Sequence, residues 1–301
     1  MANISGIRTH MKSVGNIEKI TKAMGMVASA KLSLAQKLAL ASEPFAEKLH
    51  DIMDTALSDG SIMAGLSASQ NPLLAVRKVL KRAYVVIGSD EGLAGAYNTN
   101  VMKHLAVELK GRDNDVLIAI GMKIKGELRR NAYTVKTSFS GFSNHPTFDE
   151  ADEVAEAAEK LFINGDVDEV NLVYTKFKSA VFQLPVTERL LPIKLVKDKQ
   201  MAPEGEDNNS EKSAEFTGVI FEPSASEMLP YLTRYYIRSA IYSALLQGAA
   251  SELASRMTSM TSATDNADDL LKKLQTTYNK ARQSSITNEI NEIVNGAEAL
   301  K

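Results

Sequence analysis

From Met228 to the end of the chain there is no proline after Pro230, and apolar positions recur at helical spacing almost to Leu300. This predicts one helix of roughly 110 Å at 1.5 Å per residue. From Leu253 the small or apolar residues fall at Met257, Met260, Thr264, Ala267, Leu271, Leu274, Tyr278, Ala281 and Ser285. Steps of four and three make a narrow heptad seam rather than a broad globular face, so the helix requires a partner helix. The seam then changes frame. Ile286, Ile290, Ile293, Ala297 and Leu300 keep the rhythm one position out of step, and Arg282 sits where the frames meet, the pattern of a stutter that locally unwinds a supercoil.

The other end of the chain supplies the partner. Residues 4 to 57 carry Ile4, Ile7, Met11, Val14, Ile17, Ile20, Met24, Val27, Leu34, Leu38, Ala41, Phe45, Leu49, Ile52 and Ala56 as an apolar stripe, interrupted by Lys31. Pro44 is expected to mark a kink. Gly6, Gly15 and Gly25 each cost about 1 kcal/mol relative to Ala in a helix, which suggests close helix approach. At roughly 80 Å this helix is shorter than the last one, so an antiparallel coiled coil of the two chain ends should leave an overhang of about 30 Å.

Between the helices the period changes. Residues 58 to 82 read as a linker, punctuated by Gly60, Gly65 and Pro72 and closed by the basic cluster Arg77, Lys78, Lys81 and Arg82. Short apolar runs follow at 83–87, 116–120, 134–139 and 170–174, alternating with helical patterns at 99–110 and 149–162. That alternation predicts a mainly parallel, Rossmann-like sheet with helices on its faces. Residues 183–191 and 217–221 read as further strands, with Pro185 and Pro192 favouring an edge for the first. The α/β unit thus covers 83–225, with a flexible acidic loop at 198–215 around Glu204, Glu206, Asp207 and Glu211, and the last helix takes 226–301.

Composition excludes several function classes. The 301 residues carry a formal charge of -2, which gives no net attraction to nucleic acid. With no cysteine there is neither disulfide nor thiolate chemistry. The four histidines, His10, His50, His104 and His145, stand too far apart to pair at metal-ligand spacing. No apolar run of about 18 residues exists to span a bilayer. The opening Met-Ala-Asn-Ile-Ser-Gly lacks the regions of a signal peptide, so the chain is expected to remain where it is made.

One stretch resembles a nucleotide site. The strand ending at Ile87 runs into Gly88-Ser89-Asp90-Glu91-Gly92-Leu93-Ala94-Gly95, a glycine-rich turn before a helix. The glycines do not follow G-x-G-x-x-G, no Gly-Lys-Ser/Thr follows, and Asp90 and Glu91 would oppose a pyrophosphate. A structural turn is the better reading. Three classes remain: a nucleotide-using enzyme with helical arms, a passive coiled-coil spacer, and a helical shaft that engages a larger assembly; the runner-up to the shaft is a coiled-coil scaffold with a nucleotide-binding α/β domain.

The chain ends decide between them. Ile17-Glu18-Lys19-Ile20-Thr21-Lys22-Ala23-Met24-Gly25-Met26-Val27-Ala28 resembles the opening of the gamma subunits of rotary proton-translocating ATP synthases. The same family is matched by Ala254-Ser255-Arg256-Met257, Asp265-Asn266-Ala267, Tyr278-Asn279-Lys280-Ala281-Arg282-Gln283, Ile286-Thr287-Asn288-Glu289 and Glu292-Ile293-Val294-Asn295-Gly296-Ala297. With Ser89 to Asn98 and Phe221-Glu222-Pro223, the likeness covers nearly the whole chain in order. The chain departs at Glu91, where the family usually has a basic residue, and in the length of the acidic loop.

The resemblance implies a rotor shaft: an antiparallel coiled coil in the cavity of a ring of three alpha and three beta subunits, above an α/β foot that meets the epsilon subunit and the membrane ring of c subunits. It implies no catalytic group, cofactor or metal on this chain, and a peripheral position on the cytoplasmic face of a bacterial cell membrane. By the same resemblance Lys19, Lys22, Met24, Arg256, Arg282 and Gln283 are the expected contacts with beta subunits.

Overall fold

The computed structural model describes residues 4–58, 72–111, 114–143, 145–193 and 224–298. The expected strand at 217–221 and the acidic loop lie outside these residues, as does most of the 58–82 linker. Two helices, α1 (Ile4–Ser58) and α5 (Ala225–Glu298), flank an α/β unit of β1 (Arg82–Ile87), α2 (Tyr97–Glu108), β2 (Val116–Ile120), α3 (Met122–Arg130), β3 (Val135–Phe139), α4 (Phe148–Ile163), β4 (Glu169–Phe177) and β5 (Gln183–Leu191). Helix α3, nine residues with two basic groups in its last turn, is too short to stand out by periodicity. Helix α1 continues through Pro44.

The sheet has the order β3-β2-β1-β4-β5. Its first three pairings are parallel, and β5 joins β4 antiparallel as an edge. Strands β1 and β2 are buried along almost their whole length, as parallel strands covered on both faces must be. Helices α2 and α3 cover one face through Leu105, Ile124 and Leu128 against Tyr84, Val86 and Leu117. Helices α4 and α5 cover the other through Val154, Phe162, Ile237 and Ile241 against Val85, Ile118 and Leu172.

The coiled coil is antiparallel. The hydroxyls of Thr21 and Thr264 lie 2.8 Å apart, and a Cβ on Gly25 would lie 3.5 Å from that of Met260. These two pairs fix a register in which Ile4 is level with Ala281 and Ser58 with Glu227. The α5 seam is the expected one: Leu253, Met260 and Ala267 are buried and the seam positions between and beyond them, out to Ser285, are half-buried, while most of their neighbours are exposed.

Helix α1 departs from expectation. Its seam runs through Ile4, Ile7, Met11 and Val14 and then through Glu18, Thr21, Gly25, Ala28, Leu32 and Ala35, one position later than the apolar stripe. Ile17, Ile20 and Val27, expected inside, are 51%, 59% and 56% exposed, and Leu34, Phe45 and Ile52 also face outward. Small residues let the helices approach closely where methionines fill the facing seam, and the bulkier apolar residues are displaced to a shoulder. The overhang is α5 from Arg282 to Glu298, about 25 Å. The frame change therefore falls just beyond the level of Ile4, and among the described residues no second helix faces Ile286, Ile290 and Ile293, which are exposed. No helix among the described residues is long and apolar enough to cross a membrane.

Candidate functional site

In a doubly wound sheet the crevice that receives ligands opens at the carboxyl ends of the strands, where successive connections pass to opposite faces. Here that point lies between β1 and β4, and helix α5 lies across it. Four α5 residues spaced four, four and three apart, Gln247, Ser251, Ser255 and Thr258, form a ladder of polar side chains along the crevice. The Gln247 Oε1 accepts from the Phe177 N–H at 3.0 Å, and the Ser251 hydroxyl donates to the Thr175 carbonyl at 3.0 Å. The Ser255 hydroxyl donates to the Ala94 carbonyl at 2.7 Å, and that of Thr258 is shared between the Ala254 carbonyl of its own helix at 2.9 Å and the Ala180 carbonyl at 3.3 Å. Each bond joins the helix to main chain, so the fit depends on backbone position.

Glycine makes the approach possible. A Cβ on Gly248 would stand 3.0 Å from Ile87 Cγ2 and 3.4 Å from the Tyr97 hydroxyl. Gly95, at φ +56°, turns the loop under Ser255, where a Cβ would lie 3.2 Å from the hydroxyl.

The glycine-rich turn is filled from within. The Asp90 carboxylate accepts from the N–H groups of Met122 at 2.9 Å and Gly141 at 2.8 Å and from the Ser143 hydroxyl at 2.8 Å. It thus occupies the amino end of α3, the position an anion would otherwise take. Ser89 is buried; its N–H donates to Asn98 Oδ1 at 3.0 Å and its hydroxyl to the Glu91 carbonyl at 2.8 Å. A structural turn is what the geometry supports.

At the mouth of the crevice the Arg256 guanidinium is buried with Glu252 at 2.7 Å, four residues earlier on α5, and reaches the Gly92 carbonyl at 3.3 Å. Glu91 lies 4.0 Å away. Burial pushes the Glu252 carboxyl up to about 7; Arg256 opposes this, while Asp90 and Glu91 reinforce it. Desolvation therefore exceeds what the ion pair returns. A second ion pair fastens α5 to α4, where Arg238 binds Asp152 and, at 2.9 Å, Glu159.

The structure separates the six expected contact residues into three groups. Lys19 and Lys22 are exposed and Met24 is half-buried, all within two turns of α1. Arg282 and Gln283 are exposed at the base of the overhang, about 25 to 30 Å further along the coil. Arg256 lies in the internal joint, with its guanidinium held by Glu252 and the Gly92 carbonyl of this chain. Sequence reasoning missed the ladder and the joint, although Glu252 and Arg256 at i, i+4 and the small polar residues on one helical face were visible signals.

A family model described as ATP synthase matches residues 3–300. A protein of Heliobacterium modesticaldum named ATP synthase gamma chain is 38% identical over 302 residues, covering 100% of both chains. One of the same name from Brevibacillus brevis is 39% identical over 300 residues, covering 98% of each. Among solved structures, a chain of the central stalk and c-ring of Tetrahymena thermophila mitochondrial ATP synthase superposes with a TM-score of 0.61 at 25% identity, over 81% of this chain and 99% of that one. A polar ladder that seats one long helix in the ligand crevice of an α/β unit, and sequence kinship over the full length, lead to one conclusion: the chain belongs to the ATP synthase gamma-chain family.

Proposed function

We propose that the chain is the central rotor shaft of a bacterial ATP synthase, a non-catalytic subunit that carries rotation between the membrane motor and the catalytic ring. The single observation that carries this is the joint: α5 is one continuous helix, with most of its residues between Leu229 and Arg256 buried in the foot and its far end exposed. Torque applied to the foot passes to the shaft through backbone-directed hydrogen bonds and packed apolar surface, with no hinge in the helix between them. An off-axis shaft makes different contacts with each of three like subunits. It thereby biases each toward a different conformation and affinity, and turning it moves every site through binding, synthesis and release.

The partners we assign are the alpha and beta subunits around the coil and the epsilon subunit and c-subunit ring at the foot, with the chain peripheral on the cytoplasmic face of the membrane. Lys19, Lys22, Met24, Arg282 and Gln283 meet beta subunits, and Arg256 acts from within the joint by holding the loop at Gly92. Charge supports this. From Ile7 to Ser42, α1 carries Arg8, Lys12, Lys19, Lys22, Lys31 and Lys37 against one acid, Glu18, which lies in the seam. Beside them runs the exposed shoulder of Ile17, Ile20 and Val27, so the fitting partner is acidic with apolar residues between its charges.

A cysteine-free chain allows a direct test. Gln283→Cys in the assembled enzyme, oxidised to a cysteine placed in the facing beta-subunit loop, should abolish ATP turnover, and reductant should restore it. Full turnover by the cross-linked enzyme would refute the shaft.

A further inference from the structure

At the mouth of the crevice two carboxylates stand within reach of one guanidinium. Glu252 is buried beside Arg256 on the same helix, 2.7 Å from Nη2, whereas Glu91 is exposed on the β1–α2 loop with its Oε2 4.0 Å from the same nitrogen. The pair with Glu252 lies wholly within α5. The guanidinium meets the loop through the Gly92 carbonyl, which accepts from Nη2 at 3.3 Å. One nitrogen thus serves both contacts, while the buried Nε has no partner among the described residues. The Asp90 carboxylate is committed elsewhere, to Met122, Gly141 and Ser143. The buried Tyr97 phenol of α2 is raised by desolvation and then by the Glu252 charge. Lys123 of α3 lies against Gly92, and β4 brings the uncharged Thr175 against the neighbouring Ser251. Lys31 of α1 and His145, just before α4, line a cleft with Leu246 and Ala249, about one turn lower.

An ionised Glu252 is the stronger claimant, because a buried carboxylate loses far more than an exposed one when left unpaired. A protonated Glu252 no longer attracts the guanidinium as a charge. Turning toward Glu91 then replaces contacts shared by one nitrogen with a two-nitrogen fork that can employ Nε. We propose that Arg256 is a proton-operated latch: proton uptake by Glu252 passes the guanidinium to Glu91 and draws the β1–α2 loop onto α5. An ion pair inside one helix becomes an ion pair between two elements, so the joint stiffens as the surroundings acidify. Burial sets the Glu252 carboxyl at about 7, which places the transfer between about pH 6 and about pH 8. The latch goes beyond the shaft reading and is a property of the isolated chain.

Amide hydrogen exchange of the isolated chain tests this. Protection factors, in which the intrinsic pH dependence of exchange is divided out, are compared at about pH 6 and about pH 8 for the amides of residues 91–96. The hydrogen-bonded turn at Asn131 and Ala132, at the far end of α3, serves as the control for general stability. Relative to that control, the loop of the parent chain should gain about threefold or more in protection at the lower pH. Glu252→Gln imitates the protonated carboxyl and should hold the higher protection at both pH values. Glu91→Gln, a change at an exposed side chain, should hold the lower protection at both. A parent loop that responds no more than the control would overturn the latch. So would a response that survives in Glu91→Gln, which would mean the guanidinium goes elsewhere, or one that survives in Glu252→Gln, which would make another group the sensor. The parent chain and Glu91→Gln suffice to decide should Glu252→Gln fold poorly. None of these measurements involves another subunit, so the shaft assignment stands or falls separately.

Discussion

The lower and upper parts of α5 are the same secondary structure under opposite constraints. Between Leu229 and Arg256 most residues are buried, on one side by α1 and on the other by the sheet, and Gly248, Ala249, Ala250, Ser251, Ala254 and Ser255 keep the helix narrow enough to be wrapped. Beyond Ser285 every described side chain through Ala297 is exposed, although Ile286, Ile290 and Ile293 continue an apolar stripe. One half of the helix is specified by its own chain. The other half is specified for surfaces this chain does not provide, so substitutions should affect folding at one end and assembly at the other.

The largest contrast is expected at Arg256. Arg256→Ala leaves Glu252 buried with its strongest partner removed, and breaking a buried pair from one side costs on the order of 3 kcal/mol or more. Denaturant unfolding of the isolated chain at pH 8 should show this loss. The loss should shrink on acidification, because a protonated Glu252 no longer needs the guanidinium. Unchanged stability at pH 8 would mean that the joint is not held by this pair.

Glu252 itself gives the pH dependence. Its folded-state value is raised from the 4.5 of a free carboxyl to about 7, so the folded chain holds the proton more tightly than the unfolded one. The associated stability is present in full below pH 4.5 and is lost as pH rises through 7, in total about 3 kcal/mol at 1.36 kcal/mol per unit. Between pH 5 and 8 the stability of the parent chain should fall more steeply than that of Glu252→Gln. Equal slopes would show that the carboxyl is not burdened by its burial. No such residue exists in the overhang, where Arg282 and Glu289 are both exposed.

Two glycines on the one helix sharpen the comparison with the same substitution. Gly248→Val drives methyl groups toward Ile87 and Tyr97, and overpacking of this kind costs roughly 1 to 3 kcal/mol. Gly296 has nothing within 4 Å of its Cβ position. Gly296→Val should change the unfolding free energy by less than about 0.5 kcal/mol. A similar loss at both positions would mean that the two halves of the helix are not packed differently.

The contrast also explains what was legible in the sequence. Strand periodicity located β1 and β2 nearly to the residue, because parallel strands covered on both faces have few ways to be anything else, and Pro185 and Pro192 marked 183–191 as the edge strand β5. The α5 seam was legible because one narrow stripe of small and apolar residues is all that a two-helix coil requires. The α1 seam was not. Apolar residues were assigned to the inside, whereas Ile17, Ile20 and Val27 lie on a face that the isolated chain leaves open, and Thr21, Gly25 and Ala28 form the contact. Gly25 was the signal, since a costly glycine within a helix indicates close approach, but spacing alone does not say which neighbouring stripe has priority. Arg256 was an expected contact by resemblance alone, and only the fold places the Gly92 carbonyl above its guanidinium. The crevice ladder was hidden because its partners are carbonyl and amide groups, which every residue carries.

The smallest effect on stability and the most selective effect on function are expected at Arg282 and Gln283. Both are exposed, one and two residues beyond the level of Ile4, where the described part of α1 ends. The isolated chain gains nothing from them, so Arg282→Ala and Gln283→Ala should shift its unfolding free energy by no more than about 0.5 kcal/mol and leave its helical content unchanged. By the contact proposed above, the guanidinium and amide reach an acidic beta-subunit loop in the assembled enzyme. A charge-assisted hydrogen bond there contributes about 1.5 to 3 kcal/mol, roughly tenfold to more than a hundredfold if it is made in only one rotational state. Turnover by the Arg282→Ala enzyme should therefore fall by at least an order of magnitude. Gln283→Ala, which removes a neutral partner, should lose less. Circular dichroism and ATP turnover measured on the same preparations distinguish the two regimes: a stability loss with intact turnover would place these residues with the buried half of the helix, as structural positions.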